Sequence, residues 1–232
     1  MVQQKEQLIK PLSLVDVLEP LSEEELEELA HRCPDTHLTR GEEFYRQKEH
    51  EGGLFLIKRG HAIVYKLSPS GKQLTLILLS GGTVFTNRRL RGLHAKALEP
   101  SVVSFVPRQD LECLTGKRPE VGLRLMDLLA DRLQQMDQRM CDVVHKEVPA
   151  RLAALLLQLL ESEGVVEGKG GYRLPARYTH EQLATMIGAK RVAVSRAFKH
   201  LREAGIVEST KQRRLHVRDL EALEHAAAKE KS

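Results

Sequence analysis

Two arginines in the stretch "GAKRVAVSRAFKHLREAG", residues 188–205, have the chemistry to read a nucleic acid. Arg191 and Arg196 both fall on the polar arc of an amphipathic helical pattern. A guanidinium group carries a fork of donors that matches the O6 and N7 acceptors of guanine. The apolar residues at helical spacing predict the buried face of this helix: Val194, Ala197, Phe198 and Leu201. The pattern predicts a helix that lies against a polyanion.

The residues around this helix predict a helix-turn-helix. Thr179 is a candidate N-cap with Gln182 three residues later, and Gly188–Ala189 supplies a tight turn. The second helix is expected from Lys190 to Ala204, because Gly205 is a typical C-terminal stop. "IVESTKQRRLHV" then predicts a β-hairpin wing whose basic residues suit phosphates: Lys211, Arg213 and Arg214.

The charge distribution agrees with a polyanionic partner for this region. The whole chain carries a net charge of +4, but residues 165–218 hold 12 Lys and Arg against 4 Asp and Glu, a net +8. Such asymmetry favours a nucleic-acid partner, although charge alone would fit a solvated basic face equally well.

The bulk of the sequence fits one large domain or two modest ones. It has 232 residues, and no apolar run approaches the length of a membrane span. Its polar start, "MVQQKEQLIK", is unlike a secretory signal. The three cysteines, Cys33, Cys113 and Cys141, lack metal-ligand spacing. We therefore expect a cytoplasmic protein with reduced thiols and no bound metal.

In the N-terminal half, an acidic helical region is followed by a sequence pattern typical of β-strands. Residues 12–32 predict a short helix, with Ser22 and Glu25 as a capping box. From about 38 to 107, short β-type runs alternate with glycines, and "LSPSGKQL" predicts a hairpin turn. This spacing is typical of a β-sandwich or barrel.

Residues 119–147 predict a long helix with a seam of apolar residues. A seam nearly four heptads long usually pairs with a copy of itself, although packing on the chain's own β-domain is the alternative. The residues expected at a dimer interface are Leu125, Leu129, Leu133, Met136 and Met140. Pro149 predicts that this helix ends or bends near residues 147–148. A further helix then runs to Gly164.

In this arrangement the sequence resembles the CRP/FNR family of bacterial transcription regulators. The most specific parts are "YTHEQLATMIGAKRVAVSRAFKHLREAGIV" and "ADRLQQMDQRMCDVVHKEVPARLAALLL". The resemblance implies an α+β chain with three parts. They are a β-roll sensor domain (a jelly roll, or double-stranded β-helix, like a cyclic-nucleotide-binding domain) at 1–118, a dimerisation helix at 119–147 and a winged helix-turn-helix at 148–232. It also implies a homodimer that binds palindromic double-stranded DNA and acts through RNA polymerase, either as an activator or as a repressor.

The resemblance assigns roles to individual residues. Arg191 and Arg196 match the base-reading arginines, and Ser195 matches a serine of the FNR-type branch. Val192 departs from the glutamate of many members and offers only apolar contact, for instance to a thymine methyl group. The remaining expected DNA contacts are Lys190, Lys199, Thr179, His180 and Arg213.

The cyclic-nucleotide cassette of the family is degenerate here. Thr86–Asn87 stand where the family has Gly-Glu after the phenylalanine, and Gly92 replaces the hydroxyl residue after Arg91. Met136 and Asp137 occupy the two positions that contact the base in cAMP-binding members. We therefore expect no response to cAMP. The residues expected near any effector are Arg88, Arg89, Arg91, His94, Met136 and Asp137.

The same sequence bears on other effectors and functions. Iron–sulfur sensing of the FNR type needs clustered N-terminal cysteines, and residues 1–32 contain none. A haem- or other ligand-gated sensor of the same architecture is the alternative, with His94 as the nearest axial ligand, although a lone histidine on a strand is usually structural. No nucleophile elbow, metal triad or P-loop is found, so we expect no enzyme and no required cofactor.

Overall fold

The computed structural model describes residues 15–46, 52–87, 92–167, 171–209 and 214–231. The chain divides into two compact units, of which the first ends at Arg132 and the second begins at Leu133. The division falls inside one long helix, so the segment expected at 119–147 is shared by both units.

The described residues form seven α-helices, preceded by a short 3₁₀ turn at Asp16–Leu18. The helices are α1 (Glu23–Arg32), α2 (Arg108–Lys117), α3 (Pro119–His145), α4 (Val148–Glu163), α5 (His180–Met186), α6 (Arg191–Glu203) and α7 (Leu220–Ala228). In this part of the chain, no helix combines the length and the apolar character that crossing a membrane would require.

The strands belong to three antiparallel sheets. In chain order they are β1 (Asp35–Leu38), β2 (Glu43–Arg46), β3 (Gly53–Arg59), β4 (His61–Leu67), β5 (Gln73–Ser80), β6 (Val84–Asn87), β7 (Leu93–Ala97), β8 (Ser101–Pro107), β9 (Val165–Glu167), β10 (Gly171–Arg173), β11 (Val207–Ser209) and β12 (Leu215–Val217). The strand orders are β1-β8-β3-β6, β2-β7-β4-β5 and β11-β12-β10-β9.

The first two sheets pack face to face and form the predicted β-roll. Along β7 the residues alternate, so that Leu93, Ala95 and Ala97 are buried while their neighbours are only partly covered. They join Phe55 and Val64, from the facing and neighbouring strands, in one apolar core. Burial of each large apolar side chain contributes roughly 1.5–3 kcal/mol, which holds the two sheets together.

Glycines lie at the turns between the strands of the β-roll. The predicted hairpin joins β4 to β5, and Gly71 N–H donates to the Ser68 carbonyl at 2.9 Å. Between β3 and β4, Gly60 has a φ of +85°, and a Cβ there would lie 2.3 Å from Ser101 Oγ.

Strand β1 and helix α2 were not predicted, because neither has a strong periodic pattern.

Three helices cover the outer face of the sheet that contains β3. Leu26 and Leu29 of α1 pack with Leu54 and Leu56 of β3 and with Val121 of α3. The capping box at the start of α1 is confirmed: Ser22 Oγ accepts from Glu25 N–H, and the Glu25 carboxylate accepts from Ser22 N–H. This cap fixes where α1 begins.

The second unit is built around α4, which buries an almost continuous apolar surface, including Leu152, Leu156 and Leu159. As predicted, the chain breaks between two helices beside Pro149: α3 stops at His145, and α4 runs from Val148 to Glu163, with Gly164 as its C-cap. At the far end of the chain, the Lys231 ammonium donates to the carbonyls of Val143 at 3.0 Å and Val144 at 2.8 Å. A cation there also suits the negative end of the α3 dipole.

The capping carboxylate of α1 also receives a hydrogen bond from Arg118, between α2 and α3. Arg118 Nε lies 2.8 Å from Glu25 Oε1. The Arg118 hydrogen bond, together with the Ser22 N–H, lowers the pKa of Glu25 from 4.5 to about 2. A carboxylate whose pKa falls on folding stabilises the native state above its unfolded pKa and loses that effect as the pH falls through the folded value.

We expect Glu25→Gln to lower the free energy of unfolding at neutral pH, because glutamine can cap α1 but cannot pair with the Arg118 charge. The difference from the wild type should be fully present above pH 4.5 and should shrink steadily as the pH falls toward 2. Urea titrations across this range measure it. Glu24→Gln, in the same helical turn and exposed, is the matched control. A difference that did not change with pH would contradict this role of Glu25.

Candidate nucleic-acid interface

Local hydrogen bonds stabilise the helix-turn-helix, and the first of them form at Thr179, the N-cap of α5. Its hydroxyl accepts from Gln182 N–H at 3.1 Å, and the Gln182 side-chain carbonyl accepts from Thr179 N–H. These two hydrogen bonds confirm the predicted capping box. The turn that follows is closed by Ala189 N–H donating to the Ala184 carbonyl at 2.9 Å. Gly188 takes a φ of +63°, the left-handed conformation that glycine accepts without steric cost.

A contact that the sequence did not reveal anchors this turn to α4. The guanidinium Nη1 of Arg151 donates to the Ile187 carbonyl at 2.9 Å. Ile187 is the C-cap of α5, so Arg151 satisfies a carbonyl that α5 leaves without a partner inside the helix. The turn between α5 and α6 is therefore tied to the core of its unit.

The rotation of α6 about its axis is fixed by burial. Val194, Ala197 and Leu201 are buried at 0, 1 and 5% exposure, and Phe198 is partly buried beside them. All of them belong to the predicted apolar face. The opposite arc therefore faces outward, as the sequence predicted.

The exposed arc of α6 carries the expected base-reading residues. Arg191 and Arg196 are exposed, and Val192 lies between them with 61% of its surface exposed. Lys190 is the exposed N-cap of the helix. Lys199 is 3.7 Å from Glu203 in an exposed i,i+4 pair. Such pairs contribute little, about 0.3–0.5 kcal/mol, so Lys199 can exchange this partner for a phosphate.

The predicted wing follows α6. Strands β11 and β12 pair antiparallel, with Val207 opposite Val217 and Ser209 opposite Leu215. The tip of the hairpin, with Lys211 and Arg213, lies outside the described residues. Gly205, at a φ of +76°, separates α6 from β11.

His180 and Ser195 contact each other in the structure. His180 is the first residue of α5, and its ring stacks on Phe198 of α6 at 4.9 Å with an interplanar angle of 21°. Its Nδ1 lies 2.9 Å from Ser195 Oγ. Burial, reinforced by the positive charge of Arg191, lowers the pKa of His180 below 6.5. The sequence pattern could not reveal this contact, because the two residues belong to different helices.

Helix α3 presents an apolar stripe with a regular heptad spacing. The exposed residues of the stripe are Met126, Leu129, Leu133, Met136, Met140 and Val143, between 45 and 68% exposed. Leu125, which was also expected at the dimer interface, is partly buried and packs against the core cluster that contains Val121. Met126, which was not among the residues expected at the interface, lies on the exposed stripe, three residues before Leu129.

Of the residues expected near an effector, His94 lies on strand β7. His94 lies on the outer face of its sheet, because its neighbours Leu93 and Ala95 point into the core. Its ring stacks on Tyr65 at 5.2 Å, and its Nδ1 is 4.0 Å from Glu43 Oε1. This position assigns His94 to the outer surface of the roll, and its part as an axial haem ligand stays a prediction.

Of the other residues of that set, the structure describes two. Met136 and Asp137 are exposed on α3. Arg88, Arg89 and Arg91 lie outside the described residues. The interior of the roll is filled at its centre by aromatic rings, with Phe55 against Tyr45 at 5.9 Å, Phe85 at 6.1 Å and Phe105 at 4.7 Å.

Two family models match the chain, one in each half. The cyclic nucleotide-binding domain matches residues 35–117, and the Crp-like helix-turn-helix domain matches residues 150–226. The first range covers the β-roll and α2, and the second covers α4 through most of α7.

Curated relatives agree along most of the chain. The Cyclic AMP receptor protein of Thermus thermophilus is 29% identical over 173 residues, 72% of this chain and 76% of the relative. The Global nitrogen regulator of Synechocystis sp. is 26% identical over 167 residues, 69% of this chain and 74% of the relative. The Transcriptional activator protein anr of Pseudomonas aeruginosa is 24% identical over 190 residues, 78% of this chain and 75% of the relative.

Solved structures share the fold. A mutant of CooA from Carboxydothermus hydrogenoformans superimposes with a TM-score of 0.75 at 24% identity, covering 93% of this chain and 95% of that one. The CRP-family regulator TTHB099 of Thermus thermophilus gives a TM-score of 0.68 at 25% identity, covering 84 and 97%. With the β-roll, the long helix and the basic winged helix-turn-helix in this order, the chain belongs to the CRP/FNR family of DNA-binding transcription regulators.

Proposed function

We propose that the protein is a homodimeric regulator that reads a palindromic operator with α6. The observation that carries this proposal is the division of α6 into two faces. Val194, Ala197 and Leu201 are buried, so the helix can present only its basic arc. The second helix of a helix-turn-helix enters the major groove, where its N-terminal residues contact base edges.

The proposal separates base readout from backbone contact. Arg191 and Arg196 are exposed in the first half of α6 and can fork onto guanine O6 and N7. Lys190, Lys199 and Thr179, with Arg213 of the wing, are proposed to position the helix on phosphates, which carry no sequence information. The Thr179 hydroxyl accepts from Gln182 N–H as the cap of α5, which leaves its own proton free to be donated to a phosphate.

Val192 is proposed as the residue that distinguishes the operator of this protein. Its side chain is 61% exposed between two arginines, and it has no polar atom to offer a base. Apolar side chains contact the thymine methyl group in the major groove. The half-site should therefore differ, at the position opposite Val192, from that of relatives with a glutamate there.

The dimer is proposed to form through the exposed stripe of α3. An a/d-type repeat of six apolar residues on one helix is expected to pair with a copy of itself. Two symmetric recognition helices read an inverted repeat, because operator symmetry mirrors protein symmetry. On this proposal the protein acts in the cytoplasm through RNA polymerase.

We propose that the protein does not respond to cAMP and needs no resident cofactor. Three features support this: the Thr86–Asn87 pair in place of Gly-Glu, Asp137 on α3, and the aromatic packing around Phe55. Operator affinity should be equal with and without saturating cAMP when measured by fluorescence anisotropy, and tighter binding with cAMP would contradict this.

We expect Arg196→Ala to weaken operator binding by about 1–3 kcal/mol and to relax the preference at one base pair of each half-site. The reason is the loss of a forked contact to one base. Anisotropy measurements on the operator and its single-base variants test both effects. Equal affinity of wild type and variant for every sequence would refute the assignment of α6 as the recognition helix.

Lys199→Ala is the matched comparison on the same helix. It should weaken binding to all sequences alike and reduce the slope of log K against log salt by about one unit, because one fewer counterion is released. A loss confined to the operator, with an unchanged salt slope, would mean that Lys199 contacts a base instead of a phosphate.

We expect Leu133→Asp to convert the dimer to monomers, because it places a charge in the middle of the α3 stripe. Sedimentation velocity measures the change. Leu67→Asp, at an exposed apolar residue of the β4–β5 hairpin, is the matched control and should leave the dimer intact. If the Leu133 variant remained dimeric, the dimer would not depend on this stripe.

A further inference from the structure

The Ser195 hydroxyl on the DNA-facing helix shares its hydrogen bond with His180. The distance from Nδ1 to Oγ is 2.9 Å, and the stack on Phe198 at 4.9 Å holds the imidazole ring in place for it. Both residues line one open pocket of about 150 Å³ between α6 and β11, next to Lys199 and Arg202. The hydroxyl therefore meets a titratable ring on one side and the proposed DNA surface on the other.

The protonation state of the ring decides what the hydroxyl can offer to DNA. A hydroxyl has one proton to donate and two lone pairs that accept. When neutral His180 carries its proton on Nε2, Nδ1 accepts and the Ser195 proton points to the ring. Ser195 can then only accept from a base. When His180 is protonated, Nδ1–H donates to Oγ, and the serine proton is free to be donated to a base.

The charged groups around His180 favour its neutral form at physiological pH. From α6 it faces the cations Arg191, Lys199 and Arg202, and from β11 it faces Glu208. Arg218 and His216 contact Glu208, and the hydroxyl of Tyr178, also near the ring, donates to Glu163. Burial and the Arg191 charge lower the pKa of His180, so the ring is neutral at neutral pH and gains its proton only below its ordinary value of 6.5.

We propose that His180 sets the hydrogen-bonding polarity of Ser195 and so makes base preference at one operator position depend on pH. This inference rests on the proposed function of α6. His180 acts here as a positioning residue, since it works through Ser195 and not by its own contact with a base. Neutral His180 favours adenine or cytosine opposite Ser195, which present amino groups in the major groove. Protonated His180 favours guanine or thymine, which present only acceptors.

The test is competition binding with operator variants at each half-site position, at about pH 8 and about pH 5.5, on either side of the histidine range. We expect the ratio of affinities at one position to shift by roughly threefold to tenfold, the equivalent of one neutral hydrogen bond. Ratios between sequences at one pH remove the general strengthening of DNA binding in acid. A wild-type protein that binds its operator with the same preferences at both pH values would overturn the inference.

Three variants separate this mechanism from general effects of pH. Ser195→Ala should abolish the shift. His180→Phe keeps a ring against Phe198 but has no Nδ1, so its preference should be independent of pH and resemble the acid preference of the wild type. His200→Gln removes another histidine, exposed on α6, and should leave the shift unchanged. A shift that persisted in Ser195→Ala would contradict the proposal.

The tautomer of His180 can be measured without DNA. Long-range proton–nitrogen NMR correlations of the free protein at about pH 8 should show Nε2 protonated and Nδ1 bare. A proton on Nδ1 at this pH would overturn the inference even if every DNA experiment agreed. Failure to bind any DNA would instead refute the proposed function, and the tautomer would still decide the role of His180.

Discussion

The burial of one face of α6 is the constraint on which the proposed function depends. Val194, Ala197 and Leu201 leave the helix only one rotation, and Gly188 with the Ala189–Ala184 bond sets where the helix begins. Turning α6 by a quarter would expose these apolar side chains and bury a guanidinium without a partner, at a cost of several kcal/mol. The position of each basic group therefore follows from apolar packing, with no need for attraction to DNA in the free protein.

Burial also divides the apolar residues of α3 into two sets. Val121 and Leu125 pack into the first unit, whereas Leu129, Leu133 and Met136 remain exposed on the heptad stripe. One helix thus supplies both a core face and a face that is exposed among the residues that the structure describes. The pairing of that second face would bring two copies of α6 into a fixed spacing, which links the helix seam to the recognition of an inverted repeat.

Much of this architecture could be predicted from the sequence, because local rules decide it. The capping boxes at Ser22 and Thr179, the turn at Gly188 and the helix break beside Pro149 each need only neighbouring residues. Periodicity could not tell which of Leu125 and Met126 faces inward, since that depends on where the β-roll lies. Strand β1 escaped prediction because its residues are mostly exposed and polar, and its pairing with β8 is distant in sequence.

The sequence predicted which residues belong to the candidate DNA-binding surface, but it did not predict the contacts between them. Arg191 and Arg196 follow from the helix pattern, and the comparisons support the family. The Arg151 bond to Ile187 and the His180 bond to Ser195 join residues from different helices, and only the fold brings them together. His94 was considered as a ligand because of its residue type. The alternation of side chains along β7 places it on the outer face of the sheet, which its residue type alone could not indicate.

The most direct test of the central claim is selection of binding sites by the purified protein from a pool of random double-stranded DNA, followed by sequencing. Recognition through α6 predicts an inverted repeat with a guanine in each half-site and half-site centres one helical turn, about 10 base pairs, apart. Enrichment of no motif, or of a single site without an inverted partner, would contradict a dimer that reads DNA through α6.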